Sequence, residues 1–250
     1  MEIIIILAIL VFLYFYLTDN KRMDREVKDE YEQRTQNETT TYVNYRPKTT
    51  FKTSYKRNSA TKSNDIYIKN IKLKNIAVID FETANDDPSS ACQVGYVIIK
   101  KNKVHKVGSF YINPKTNNFK YTYTHGITAN MVKNELDFRQ VWLKIQKEFK
   151  GIDYFAAHNA PFDKRVLDNC LDKFKFKKNL IKFICTLQIS RVYWKKGIDI
   201  NNHQLSTIAK KIKFNLNHHE AESDAIACAK IIQKLSNTKF FLNNKVRLYQ

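Results

Sequence analysis

Four carboxylates and a histidine stand in three separated motifs of this chain. Asp80 and Glu82 lie in IAVIDFET, Asp163 in AAHNAPFD, and His219 and Asp224 in HHEAESDA. Carboxylates hold divalent cations, and a histidine can take a proton from water near neutral pH. Together these are the groups that a two-metal hydrolysis of a phosphodiester needs. Each motif also has a plainer reading when taken alone, so the elements that carry them matter.

Asp80 and Glu82 are two residues apart at the end of an apolar run. The run is bounded by polar residues and reads as a strand buried on both faces. Side chains alternate along a strand, so both carboxylates point the same way. They sit at its carboxyl end, where ligand sites of open α/β sheets gather. Two neighbouring like charges repel unless a cation lies between them. An exposed acidic strand end accounts for the pair equally well. Asp163 follows a short apolar strand, Tyr154 to Ala157, in the first turn of a helix that Pro161 suits. A carboxylate there also suits the helix dipole, and Asn159 reads as a simple N-cap.

Asp224 belongs to a last helix from Glu220 to Leu235. Its apolar stripe is Ala221, Ala225, Cys228, Ile232 and Leu235. Asp224 is three after Ala221 and four before Cys228, on the inward face. A buried carboxylate needs a cation or several donors. His219 stands five before Asp224, near the helix start, and the adjacent His218 competes for the proton-transfer role.

The remaining pattern supplies the scaffold. ACQVGYVIIK and KVHKVGSFYI read as a second and third strand, joined by a hairpin turn at Lys101-Asn102. DFRQVWLKIQKEF reads as a helix with Phe138, Val141, Trp142, Ile145 and Phe149 on one face, capped by Asp137 and ended by Gly151. A further helix spans Gln204 to Ile212. Strands followed by strand–helix alternation give an α/β class with a central mixed sheet.

Lys and Arg number 43 against 24 Asp and Glu, a formal net charge of +19. That favours a polyanionic partner, nucleic acid or a membrane surface. Cys92, Cys170, Cys185 and Cys228 form no CxxC pair and fall in apolar stretches. They read as buried free thiols, which argues against a zinc site. The run Ile3 to Leu17 is uninterrupted apolar, lacks a small-x-small cleavage site, and is followed by Lys21, Arg22, Arg25 and Lys28. It predicts an uncleaved membrane anchor at 1–18 with the body on the cytoplasmic side. A flexible polar linker is expected at 19–65, the folded domain at 66–236 and a tail at 237–250. Lys173, Lys175, Lys177, Lys178 and Lys182 interleave with Phe174 and Phe176, and Arg191, Lys195 and Lys196 follow with Tyr193 and Trp194. Such a mixture can track phosphates and stack bases; a solvated face over core aromatics explains it as well.

The three motifs resemble those of the DEDD superfamily of 3′–5′ exonucleases, in the subgroup whose last motif carries histidine. The proofreading epsilon subunit of bacterial DNA polymerase III and ribonuclease T are similar. The likeness runs from Asn75 to Leu235. IAVIDFETAN matches the first motif and AHNAPFD the second. HHEAESDA matches the third in the form H-x-A-x-x-D, which selects His219 over His218. SSACQVGYVII, THGITANMV and FICTLQISR also look epsilon-like. The resemblance implies a ribonuclease H-like fold, a five-stranded mixed sheet flanked by helices. It implies two divalent cations, Mg²⁺ or Mn²⁺, with Asp80, Glu82 and Asp224 on the principal one, Asp80 bridging to the second and Asp163 acting mostly through water. It gives His219 the proton from the attacking water. The implied substrate is the 3′ end of single-stranded DNA or RNA, DNA favoured, and the product a nucleoside 5′-monophosphate. Thr83 and Ala84, His125 and Ile127 of HGIT, and Phe162 fall near the family's terminal nucleotide, although each reads as well as a core or turn residue. No protein partner is predicted. The rivals are a non-catalytic nucleic-acid-binding module and a small-nucleotide phosphodiesterase on the same fold. Against the first stand the carboxylates themselves, which would repel phosphate without cations.

Overall fold

The computed structural model describes residues 75–178, 182–236 and 246–249, together with the backbone of Ile66–Ile68. The expected anchor at 1–18 and linker at 19–65 lie outside the described residues. Among the described residues no helix is long and apolar enough to cross a membrane.

The elements run β1 (Ile66–Ile68), β2 (Asn75–Thr83), β3 (Ala91–Lys100), β4 (Lys103–Tyr111), α1 (Thr122–His125), α2 (Ala129–Val132), α3 (Phe138–Ile145), β5 (Tyr154–Ala157), α4 (Ala160–Lys173), β6 (Phe183–Cys185), α5 (Thr186–Tyr193), α6 (Leu205–Lys211), α7 (Ala221–Ser236) and β7 (Val246–Tyr249). All seven strands form one sheet in the order β1-β7-β6-β5-β2-β3-β4. β2, β3 and β4 make an antiparallel meander, whereas β5 lies parallel to both β2 and β6. The sheet is therefore mixed, as expected, but among the described residues it has seven strands where five were expected. The extra two are β1 and β7, which pair with each other, and β7 also pairs with β6. β7 falls in the stretch read as a tail. Its alternation is only four residues long, with Val246 and Leu248 buried, too short a run for a period of two to stand out.

β2 explains why helices cover both faces. Ile76 and Val78 enter one core with the apolar side of α7, α6 and α5. Ala77, Ile79 and Phe81 enter the other with α3 and α4. A strand buried on both sides has no polar positions until a site needs them. The β3–β4 hairpin turns at Lys101 and Asn102, both at positive φ (50° and 64°), the type I′ geometry that matches strand twist. Asp137 caps α3 in a reciprocal pair with Gln140: each side chain accepts the other residue's backbone N–H, at 3.0 and 3.1 Å. All four cysteines are buried and free.

The aromatics of the basic stretch go inward. Phe174 stacks on Phe138 with centroids 5.7 Å apart, Phe176 packs against the same core, and Trp194 is buried in the other. Lys173, Lys175, Lys177 and Lys178 are exposed around them. The stretch is a solvated face over core rings rather than a base-stacking surface.

Candidate active site

Asp80 and Glu82 continue the Ile76–Val78 face of β2, so they point toward α7. Asp224, in the first turn of α7, is 4 % exposed. Oxygens of Asp80, Glu82 and Asp224 all lie within 4.8 Å of one another. Burial first, and then the charges of Asp163, Asp224 and Glu82, push the Asp80 carboxyl well above the usual carboxylate range. Burial and Asp224 do the same to Glu82. Three carboxylates this close, drawn out of water, oppose one another's ionisation, and a hard cation among them removes the conflict. The donor set is all oxygen, which suits a hard divalent ion.

The close approach of α7 has a cause in β3. Gly95 pairs with Asp80 across the β2–β3 ladder. A Cβ at Gly95 would lie 2.1 Å from the Ala221 carbonyl oxygen and 2.5 Å from the Glu222 nitrogen, both backbone atoms. Only glycine lets the helix start press onto the sheet here. Gln93, two residues earlier and opposite Glu82, meets the same helix end. Its amide donates to Glu220 at 3.1 Å and its carbonyl oxygen accepts from the Ala221 N–H at 3.3 Å. Gln93, Gly95 and Glu220 were missed in the sequence. A polar residue and a glycine two apart inside an otherwise apolar strand, ACQVGYV, was the signal.

Asp163, in the first turn of α4, is 2 % exposed. Its Oδ1 accepts the Phe81 N–H at 3.0 Å, which fastens α4 to β2 between the two site carboxylates. Burial raises its pKa well above the ordinary value, and the Phe81 N–H opposes that shift. It does not join the three-carboxylate cluster. Asn159 precedes it at φ 72°, ψ 47° in the left-handed region, and its side chain makes no cap bond.

The histidines divide their work. The His218 ring donates from Nδ1 to Asp224 at 3.2 Å, whereas His219 reaches the same carboxylate through its backbone N–H, also at 3.2 Å. The two rings stack at 3.9 Å. His219 sits at φ 68°, in the left-handed region. Burial, then His218, lowers its pKa below the ordinary value, so the ring is neutral at neutral pH and able to accept a proton.

Thr83, Ala84, His125 and Ile127 meet at the end of β2. The Ile127 N–H donates to His125 Nδ1 at 3.0 Å, which leaves Nε2 as the protonated nitrogen, 3.1 Å from the Thr83 carbonyl. Both ring nitrogens are thus spent on backbone. Ala84 and Ile127 are fully enclosed with Cys92 and Val132, so they hold the loop in place rather than present a surface. Phe162 is half-buried against the α4-side core, with the Arg165 guanidinium 6.0 Å from its ring centroid. His203 is half-buried: its ring donates to the Trp194 carbonyl at 2.9 Å and its carbonyl accepts from His158 at 3.0 Å.

The family model described as Exonuclease, named for ribonuclease T, matches residues 77–232, more than half of the chain. The DNA polymerase III PolC-type of Listeria monocytogenes is 31% identical over 178 residues, 71% of this chain and 10% of that protein. The 3′–5′ exonuclease DinG of Bacillus subtilis is 28% identical over 153 residues, 59% of this chain and 16% of that protein. The chain thus spans 10 to 16% of the length of these relatives. Among solved structures, the nuclease domain of 3′hExo, a DEDDh family member bound to rAMP, superposes with a TM-score of 0.57 at 16% identity, over 71% of this chain and 97% of that one. Divalent metal ions are the cofactors of such exonucleases. The match spans β2 through α7, the elements that bring Asp80, Glu82, Asp163 and Asp224 to one end of the sheet, and the chain belongs to the exonuclease family of ribonuclease T in its DEDDh form.

Proposed function

We propose that the chain is a 3′–5′ exonuclease that hydrolyses phosphodiester bonds at the 3′ end of single-stranded nucleic acid, DNA in preference, and releases nucleoside 5′-monophosphates. One observation carries this reading: the oxygens of Asp80, Glu82 and Asp224 converge within 4.8 Å beside a neutral histidine. Asp80, Glu82 and Asp224 would be the main holders of two divalent cations, Mg²⁺ or Mn²⁺, and Asp163 would assist them from outside the three-carboxylate cluster. Bound there, the cations supply Lewis acidity to water and neutralise charge at the scissile phosphate. His219 takes the proton of the attacking water, and its lowered pKa suits that task. His125 and Phe162 face the terminal nucleotide, backed by the buried Thr83, Ala84 and Ile127. The name of the Bacillus relative supports the 3′–5′ polarity. The ribonucleotide named with 3′hExo makes RNA the second substrate to try.

The test incubates the full chain with single-stranded DNA and RNA of one sequence, labelled at the 5′ end, in Mg²⁺ or Mn²⁺. The expected products are a ladder shortened from the 3′ end and free nucleoside 5′-monophosphates, faster on DNA. Shortening that persists in Asp80→Ala and Asp224→Ala overturns the reading. The apolar run Ile3 to Leu17 and the basic residues after it support a membrane anchor with the nuclease on the cytoplasmic side. Release of the full chain from membranes by alkaline carbonate would refute that anchor.

A further inference from the structure

The start of α7 is held by a polar clamp that the reaction itself does not use. Glu220 occupies the N-cap position, since its carbonyl accepts the first helical bond, from the Asp224 N–H at 3.0 Å. Its carboxylate also accepts the Glu222 N–H at 3.2 Å and the Ser223 N–H at 2.7 Å, two of the helix's open donors. Glutamate is outside the set of favoured N-caps, Ser, Thr, Asp and Asn, which reach those donors with shorter side chains. The extra methylene gives Glu220 a second partner across the helix–sheet junction, the Gln93 amide on β3 at 3.1 Å. Gln93 is 4 % exposed. Its other end takes the Ala221 N–H at 3.3 Å, and its amide also lies 3.4 Å from Ser109 Oγ on β4. One side chain of the sheet therefore grips both the cap residue and the first residue of the helix.

Two site groups hang from this clamp. His219 immediately precedes Glu220 and sits in a left-handed conformation that costs energy for a residue with a Cβ. Asp224 lies one turn beyond, and both His219 N–H and His218 Nδ1 point at it. Gln93 stands opposite Glu82 in the β2–β3 register, so the clamp joins the sheet that carries Asp80 and Glu82 to the helix that carries Asp224. We propose that Gln93 and Glu220 are positioning residues that set the spacing between Asp224 and the Asp80–Glu82 pair and fix the backbone of His219. The proposal rests on the exonuclease reading of the site.

An exchange of donor and acceptor tests it. Gln93→Glu puts two carboxylates face to face; adding Glu220→Gln restores one donor and one acceptor with the polarity reversed. The full chain is studied as wild type, as Gln93→Glu and as the exchange pair. Mn²⁺ affinity is measured without substrate by electron paramagnetic resonance, and kcat and KM on a single-stranded DNA oligonucleotide. Gln93→Glu is expected to lower Mn²⁺ affinity and kcat by about 10- to 100-fold, the usual loss when a group that orients metal ligands is removed, with KM changed by less than about threefold. The exchange pair is expected to recover most of both. Wild-type values in Gln93→Glu, or an exchange pair no better than Gln93→Glu while its melting curve stays cooperative, overturn the proposal. Should Gln93→Glu fail to fold, Glu220→Asp keeps a favoured cap and gives up the reach to Gln93; unchanged Mn²⁺ affinity and kcat there are equally decisive against it. A wild type that binds Mn²⁺ but cuts no oligonucleotide removes the exonuclease reading alone, because the Mn²⁺ series still judges the clamp.

Discussion

Asp163 and Asp224 hold the same local position, the fourth residue of a helix, and both are buried to within a few per cent. The helix dipole favours both equally. Yet Asp224 joins the ligand cluster and Asp163 does not. The difference lies in what each helix start meets. α7 comes down on a glycine, Gly95, and is gripped by side chains of the sheet; its carboxylate receives donors from its own loop, at His218 and His219. α4 starts from a left-handed Asn159 with no side-chain cap, and its carboxylate turns to the sheet backbone at Phe81. A carboxylate's place in its helix therefore does not decide its role. The distance at which the helix rides on the sheet, and the donor that claims the carboxylate first, decide it.

If that contrast is right, changes at the α7 start outweigh changes at the α4 start. The largest effect is expected from His219→Ala, a loss of about a thousandfold in kcat with Mn²⁺ affinity nearly kept, as befits a general base. His218→Ala, which removes a ring from Asp224 but not the base, is expected to cost about 10- to 100-fold, less than His219→Ala. Equal losses in steady-state assays would undermine the assignment of the base to His219. Next comes Gly95→Ala. Its Cβ would sit 2.1 Å from a backbone oxygen of α7, so the helix must shift away from Asp80. A displacement near 1 Å is expected to cost about a hundredfold in kcat, and the overpacking about 1–3 kcal/mol of stability. Near-normal kinetics would show that the site tolerates a looser helix.

Asp163→Asn probes the other side. The amide keeps an oxygen for the Phe81 N–H and gives up the charge. A loss of about 10- to 100-fold in kcat is expected for a group acting through water. Without metal the variant is expected to melt higher than wild type, because the buried carboxylate no longer has to ionise. A loss as deep as that of Asp224→Asn would place Asp163 among the direct ligands and erase the contrast.

Periodicity reveals the elements but not their spacing. The α3 stripe of Phe138, Val141, Trp142 and Ile145, the Lys101-Asn102 turn and the apolar β2 are local patterns, and each stands where the residues put it. β1 and β7 are three and four residues long, and their reason for being strands is the neighbour they pair with. The same holds at the site. The inward face of Asp224 follows from a stripe within α7, whereas Gln93 and Glu220 are 127 residues apart and meet only through the fold. The interleaved Phe174 and Phe176 invited a base-stacking role because composition does not say which way a ring faces. Packing against Phe138 settles that it is inward.

The smallest effect concerns His158, which precedes α4 and holds its entry to the loop before α6. Its Nε2 donates to the His203 carbonyl at 3.0 Å, so the Nδ1 of the neutral ring, 3.0 Å from Thr186 Oγ1, is an acceptor that shares the single hydroxyl proton with the Ala157 carbonyl, 3.2 Å away. Burial drives its pKa down to about 4 from 6.5. The folded state then binds fewer protons at this site than the unfolded chain between those values. The stability tied to the neutral ring is complete above 6.5 and drains away as pH falls toward about 4. At pH 5 the loss relative to pH 7 amounts to about 2 kcal/mol. Asp80, Glu82 and Asp163 work in the opposite sense, since their raised pKa values make acid relieve strain in the metal-free protein. The comparison that isolates His158 is therefore wild type against His158→Gln, which offers an amide donor to His203 and an oxygen to Thr186 while being unable to titrate. Denaturant unfolding without metal at pH 7 and pH 5 should show the difference between the two proteins shift by that amount in favour of the variant at pH 5. A difference that does not move with pH would mean that the ring titrates in the folded protein as it does in the unfolded chain, and that burial does not hold it neutral.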